Sequence, residues 1–166
     1  MVSIRRMAQA DREALRELVL HLHETMRPFD RDLAPGDQII ERYFHNLISH
    51  AEQTNGAIFI ADADDCVVGY ACVYGSVTPD EADESPDSYS FLAELFVRPE
   101  YRGHELGRRL IEQAENHAAA CGSYKLELKV LAQNESAVRF YETLGFARRV
   151  IVMSKRIEAA EGESDA

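Results

Sequence analysis

The chain has 166 residues, 46% of them hydrophobic and 28% charged, and a formal net charge of −11. That length suits one domain with its own core, and no apolar run is long enough to cross a bilayer. Nine acids and no base fall in two runs, residues 79–87 and 158–166; the rest is nearly balanced, and without a basic face nucleic-acid binding is excluded. The amino end lacks the apolar core of a signal peptide, so cytoplasmic residence is expected. Cys66, Cys72 and Cys121 form no metal-ligand pair and no disulfide framework, and are expected to be small buried thiols. No spacing among the six histidines is that of a metal site, and no metal is expected.

Residues 2–7 read as a first strand. Asp11 is placed to cap a helix in which Leu15, Leu18, Val19 and Leu22 recur at helical spacing. After the break at Pro28 and the turn at 33–37, a second helix carries Ile40, Tyr43, Phe44 and Leu47 on one broad face. Residues 57–62 and 66–77 predict two strands of a hairpin. An acidic loop leads to a strand at about 88–97, whose apolar residues fall on both faces, as in an inner strand. Glu94 is expected to share its face with Leu92 and Phe96. A helix follows over 107–121, then an alternating strand at 123–131 with Tyr124, Leu126, Leu128 and Val130 on one side. A short helix capped by Asn134 and stopped at Gly145 precedes a last strand, or pair of strands, at 146–157. The tail 158–166 is expected to be disordered. The order β-α-α-β-β-β-α-β-α-β predicts an α/β fold: a mixed, mostly antiparallel central sheet flanked by helices on both faces.

Strand, glycine-bearing turn and helix start together make an anion site at residues 98–109, because the first N–H groups of a helix have no internal acceptor. Gly103 and Gly107 allow close backbone approach, and Arg102, Arg108 and Arg109 add charge. The stretch lacks the ending of a Walker loop and the spacing of a Rossmann fingerprint.

"AELFVRPEYRGHELGRRLIEQAE" closely resembles the acetyl-CoA-binding motif of the GCN5-related N-acetyltransferases, and "NESAVRFYETLGF" resembles that family's later motif. Both occur in family order with one strand between them, so the likeness is specific from about Ala93 to Phe146. It implies an acyl-CoA N-acyltransferase fold spanning residues 1–157 as a single N-acetyltransferase domain. It also implies acetyl-CoA as co-substrate, with the amides of Arg102, Gly103, His104, Glu105, Leu106, Gly107 and Arg108 around the pyrophosphate. Leu95, Phe96 and Val97 would offer backbone to the pantetheine arm and the thioester, and Asn134 would touch the same arm or serve as a plain helix cap. Glu105 departs from the pattern, since glycine is usual there; it is expected to sit in the helix's first turn, facing solvent near Arg108 or Arg109.

Two residues carry the expected chemistry. Glu94 is either a general base toward the incoming ammonium or a structural partner of Lys125 or Lys129. Tyr141 matches the family tyrosine that protonates the departing thiolate; its helical spacing with Ala137 and Leu144 equally suits packing. The implied activity is direct acetyl transfer to a primary amine in a ternary complex. The acidity points to a cationic acceptor, a polyamine or aminoglycoside-like amine, or a protein amine. A non-catalytic acyl-CoA sensor on the same fold is the rival reading. The apolar last strand is long enough to pair across a homodimer, which nothing in the sequence decides.

Overall fold

The computed structural model describes residues 2–79, 83 and 85–157. The expected tail at 158–166 lies outside the described residues, as do 80–82 and 84 of the acidic run. Along the chain come β1 (Val2–Arg6), α1 (Arg12–Met26), α2 (Gly36–Gln53), β2 (Ala57–Ala63), β3 (Cys66–Val77), β4 (Tyr89–Val97), α3 (Leu106–Ala120), β5 (Leu126–Leu128) and α4 (Glu135–Thr143). The five strands form one mixed sheet in the order β1-β2-β3-β4-β5, antiparallel throughout except for the parallel β4–β5 pair. Among the described residues, no helix is long and apolar enough to cross a membrane.

The sheet is covered on both faces. Leu15, Leu18 and Val19 of α1 and Ile40, Phe44 and Leu47 of α2 bury one face together with Ile60, Tyr70, Cys72 and Phe96. Leu106, Leu110, Ile111 and Ala114 of α3 bury the other with Phe59, Val68, Val73 and Leu92. At about 25 cal/mol per Å² of apolar surface removed from water, these two layers dominate the stability of the sheet. The β2–β3 turn holds Asp64 and Asp65 at φ 51° and 65°, the left-handed pair that closes a two-residue hairpin.

A β-bulge on β4 controls the site. Cys72 pairs with Glu94, whereas Val73 pairs with Leu92, leaving Ala93 as the extra residue. Leu92 therefore joins the α3-side core, while Phe96 joins the α1/α2 side. Glu94, opposite Cys72, shares the side of Phe96. The expectation that Leu92 flanks Glu94 on one face is corrected, because strict alternation fails at the bulge.

Several further expectations are revised. Asp11 does not cap α1 with its side chain; its carboxylate accepts bonds from Arg5 (2.6 and 2.8 Å) and the Ala8 N–H (2.7 Å). Cys66 is exposed and only Cys72 is buried. The strand expected at 123–131 is reduced to Leu126–Leu128. No strand forms over 146–157: Val150, Ile151, Val152 and Met153 are 77% to 90% exposed. That segment is tied by Arg149 to Glu127 and by Arg156 to Asp32, both at 2.7 Å. A strand needs a ladder partner and a covering layer, and the described residues of one chain give this segment neither.

Candidate active site

β4 and β5 are paired only from Ser90–Leu126 to Leu92–Leu128. Beyond Leu92 the β4–β5 pairing ends, and among the described residues no strand lies against that edge of β4. The Arg98 N–H bonds to the Val68 carbonyl on β3 (2.8 Å). Because backbone groups alternate sides along a strand, those of Leu95 and Val97 turn toward the opening. The Val97 carbonyl accepts Arg102 Nε at 3.0 Å, and the Arg102 guanidinium lies 5.8 Å from the Phe96 ring centre. Phe96 itself is buried against α1, so its side chain serves the core.

At the end of β4, Pro99–Tyr101 makes a single 3-10 turn, and an exposed loop of Arg102, Gly103, His104 and Glu105 enters α3. The first intrahelical bond of α3 runs from the Arg109 N–H to the Glu105 carbonyl (2.9 Å). The N–H groups of Leu106, Gly107 and Arg108 therefore lack helical acceptors, and the dipole of a 15-residue helix adds partial positive charge. Gly103 (φ 79°) and Glu105 (φ 58°) are both left-handed, and the Arg102 N–H bonds to the Pro99 carbonyl at 3.2 Å, so the amide expected of Arg102 is already engaged. Leu106 anchors this loop in the α3-side core. A Cβ at Gly107 would stand 3.0 Å from the Phe140 ring, so glycine there admits α4 against the start of α3.

Glu105 is the N-cap residue of α3, one position before the helix, and its side chain makes no capping bond. It is exposed, as expected. Arg108 is also exposed, whereas Arg109 reaches the Val2 carbonyl (3.3 and 3.4 Å) and so braces β1.

Glu94 is 7% exposed and has two partners the sequence did not reveal. The Tyr43 hydroxyl donates to Oε1 and the Tyr70 hydroxyl to Oε2, each at 2.5 Å. Burial raises the carboxyl above the usual range, while the two phenols and nearby His23 pull it back. Lys125, one of the partners considered, pairs with Glu127 at 2.6 Å. A buried tyrosine needs an acceptor for its hydroxyl, and Tyr70 within the apolar run of β3 was the available signal.

Tyr141 is half-buried on α4, with ring centres 5.4 Å from Phe140 and 5.7 Å from Phe146. Burial pushes its phenol up to about 12. Tyr141, like Leu95, packs against the α3-side core, whereas Glu94 lies on the α1/α2 side. The structure thus does not bring the two together on one face. Asn134 caps α4, its Oδ1 accepting the Ala137 N–H at 3.2 Å.

Comparison with known proteins agrees with this architecture. Residues 16–146 match the model of the acetyltransferase (GNAT) family. An uncharacterized N-acetyltransferase of Methanocaldococcus jannaschii is 29% identical over 161 residues, covering 93% of this chain and 67% of that protein. The thialysine N-ε-acetyltransferase of Bos taurus is 34% identical over 80 residues, covering 48% of this chain and 44% of the enzyme, so the match takes in less than half of that protein. Among solved structures, a mutant Bacillus halodurans protein superposes with a TM-score of 0.79 at 19% identity, covering 94% of this chain and 99% of that one. An aminoglycoside N-acetyltransferase in complex with CoA gives 0.66 at 22% identity, covering 93% and 100%. A family match across most of the chain, on a sheet that opens beside the free amides of a helix start, places this protein in the GNAT family of acetyltransferases.

Proposed function

We propose that the chain transfers an acetyl group from acetyl-CoA to a primary amine by direct attack in a ternary complex. The observation that carries this is the opening beyond Leu92, with the backbone of Leu95 and Val97 turned toward it and the free amides of Leu106, Gly107 and Arg108 at its end. The loop amides would hold the pyrophosphate, and Asn134 the pantetheine arm. In the reaction the N–C bond forms and the C–S bond breaks. One ammonium proton goes to Glu94 before attack; one proton passes from Tyr141 to sulfur, and the second proton that the nitrogen loses as the amide forms returns to Tyr141. A phenol near 12 is a weaker acid than a thiol of about 8.5. Tyr141 therefore hydrogen-bonds the sulfur first and yields its proton only as the C–S bond breaks. No chain cysteine takes the acyl group.

The acceptor is a small cationic amine, which a carboxylate behind two phenols favours; the thialysine and aminoglycoside enzymes named above support the same class. The test is thiol release from acetyl-CoA against thialysine, neamine, spermidine and a lysine peptide. Saturable acetyl-CoA binding with no release on any amine would replace the enzyme with a sensor. The exposed apolar run Val150–Met153 supports pairing with a second copy; a monomer by sedimentation at tens of micromolar would remove that reading.

A further inference from the structure

Glu94 is poorly placed to meet an amine itself. Both of its oxygens already accept a phenol, and little of the residue reaches the surface. Its two partners differ in access. Tyr70 is fully buried and so is its bond to the carboxylate, whereas Tyr43 keeps exposed surface and its bond is only partly buried. A phenol that donates its hydrogen to a carboxylate still has lone pairs free to accept another.

We propose that the Tyr43 hydroxyl, and not the Glu94 carboxylate, receives the acceptor's proton. The inference rests on the reading of Glu94 as the base. An ammonium N–H bond breaks and its proton binds Tyr43 Oη; the Tyr43 O–H bond breaks and that proton binds Glu94 Oε1. The products are a neutral amine, a neutral tyrosine and a neutral glutamic acid. Burial and the neighbouring carboxylate disfavour a tyrosinate at position 43, so both transfers belong to one step. Tyr70 makes the same bond from an enclosed position and holds Oε2 in place without offering a route. The other titratable groups facing Glu94 are Cys72 and Tyr74 on β3 and His23 on α1. Burial keeps the Cys72 thiol and the Tyr74 phenol neutral, and His23 Nε2 is bonded to the Ala34 carbonyl at 2.8 Å.

The experiment measures kcat and kcat/KM against pH, using the amine that gives the fastest thiol release, for the parent protein, Tyr43→Phe, Tyr70→Phe, Glu94→Gln and Tyr43→Phe/Glu94→Gln. Acetyl-CoA affinity is followed alongside. Tyr43→Phe is expected to lower kcat about 100-fold or more and to abolish the acidic limb, with acetyl-CoA affinity unchanged. The double variant is expected to be no slower than either single one, because the pair acts as a unit. Tyr70→Phe is expected to keep kcat within about tenfold on the plateau and to move the acidic limb to higher pH, since the carboxylate loses one donor. If Tyr43→Phe keeps the parent rate and limb while Glu94→Gln loses both, the relay is overturned and the base stands. If Glu94→Gln keeps the limb, the base reading itself fails. Should Tyr43→Phe lose acetyl-CoA binding, Tyr43→Gln, whose amide can donate to the carboxylate but cannot relay a proton, takes its place with the same expected loss.

Discussion

Replacing Glu105 by glycine should make the protein more stable. Glu105 sits at φ 58°, ψ 5°, where a Cβ crowds the backbone, and its side chain makes no capping bond in return. The left-handed conformation costs a non-glycine residue roughly 1–2 kcal/mol, and glycine gives back about 0.5–1 kcal/mol through the entropy of the unfolded chain. The net gain is about 0.5–1 kcal/mol, or a rise in Tm of roughly 1–4 °C for a domain of this size. Glu105→Ala separates backbone from charge: it keeps the left-handed cost, removes the carboxylate, and should leave stability within about 0.5 kcal/mol of the parent. Urea unfolding of all three, without ligand, reads the difference. Acetyl-CoA titrations at two salt concentrations then show whether the carboxylate reaches the bound anion, because that contribution appears in alanine and glycine alike and shrinks with salt. Equal stability of Glu105→Gly and Glu105→Ala would refute the backbone argument.

Tyr141→Phe should lower turnover at least about tenfold while sparing acetyl-CoA affinity; unchanged turnover would remove the phenol from the chemistry. Asn134→Ala frees the Ala137 N–H and should destabilise the protein by about 1 kcal/mol in urea unfolding. Gly103→Ala meets no atom within 4 Å, so its expected loss of roughly 1–2 kcal/mol is backbone strain at φ 79° alone. Glu94 has a raised carboxyl in the native state, so its contribution to stability is full below the unfolded value near 4.3 and is lost as pH rises through the native one. Melts from pH 4 to 8 should therefore show the parent losing ground to Glu94→Gln as pH rises.

Much of the architecture could be read from local patterns. The apolar stripes of α1, α2 and α3, the Asp64-Asp65 turn and the Asn134 cap are all set by neighbours in the chain. The turn from β4 into α3 was legible because strand, glycine and helix start are contiguous. The phenols on Glu94 were not, since Tyr43 and Tyr70 lie 51 and 24 residues away from it and look like core residues within their own elements. The last strand failed for a related reason. The run 150–153 has strand composition, but pairing needs a partner edge, and that is a property of the assembled sheet.

The extra residue at Ala93 makes β4 sensitive to its length more than to its spelling. Ser or Gly at that position would keep the count and leave the side chains before and after it pointing as they do. Losing the residue would instead restore a plain ladder: Leu92 and Glu94 would become neighbours opposite Val73 and Cys72, each on its present face, and the bend that the bulge puts into β4 where its pairing with β5 ends would go. Variation within this strand can therefore change letters freely, whereas losing the extra residue would alter the bend of the strand and not the faces of its side chains.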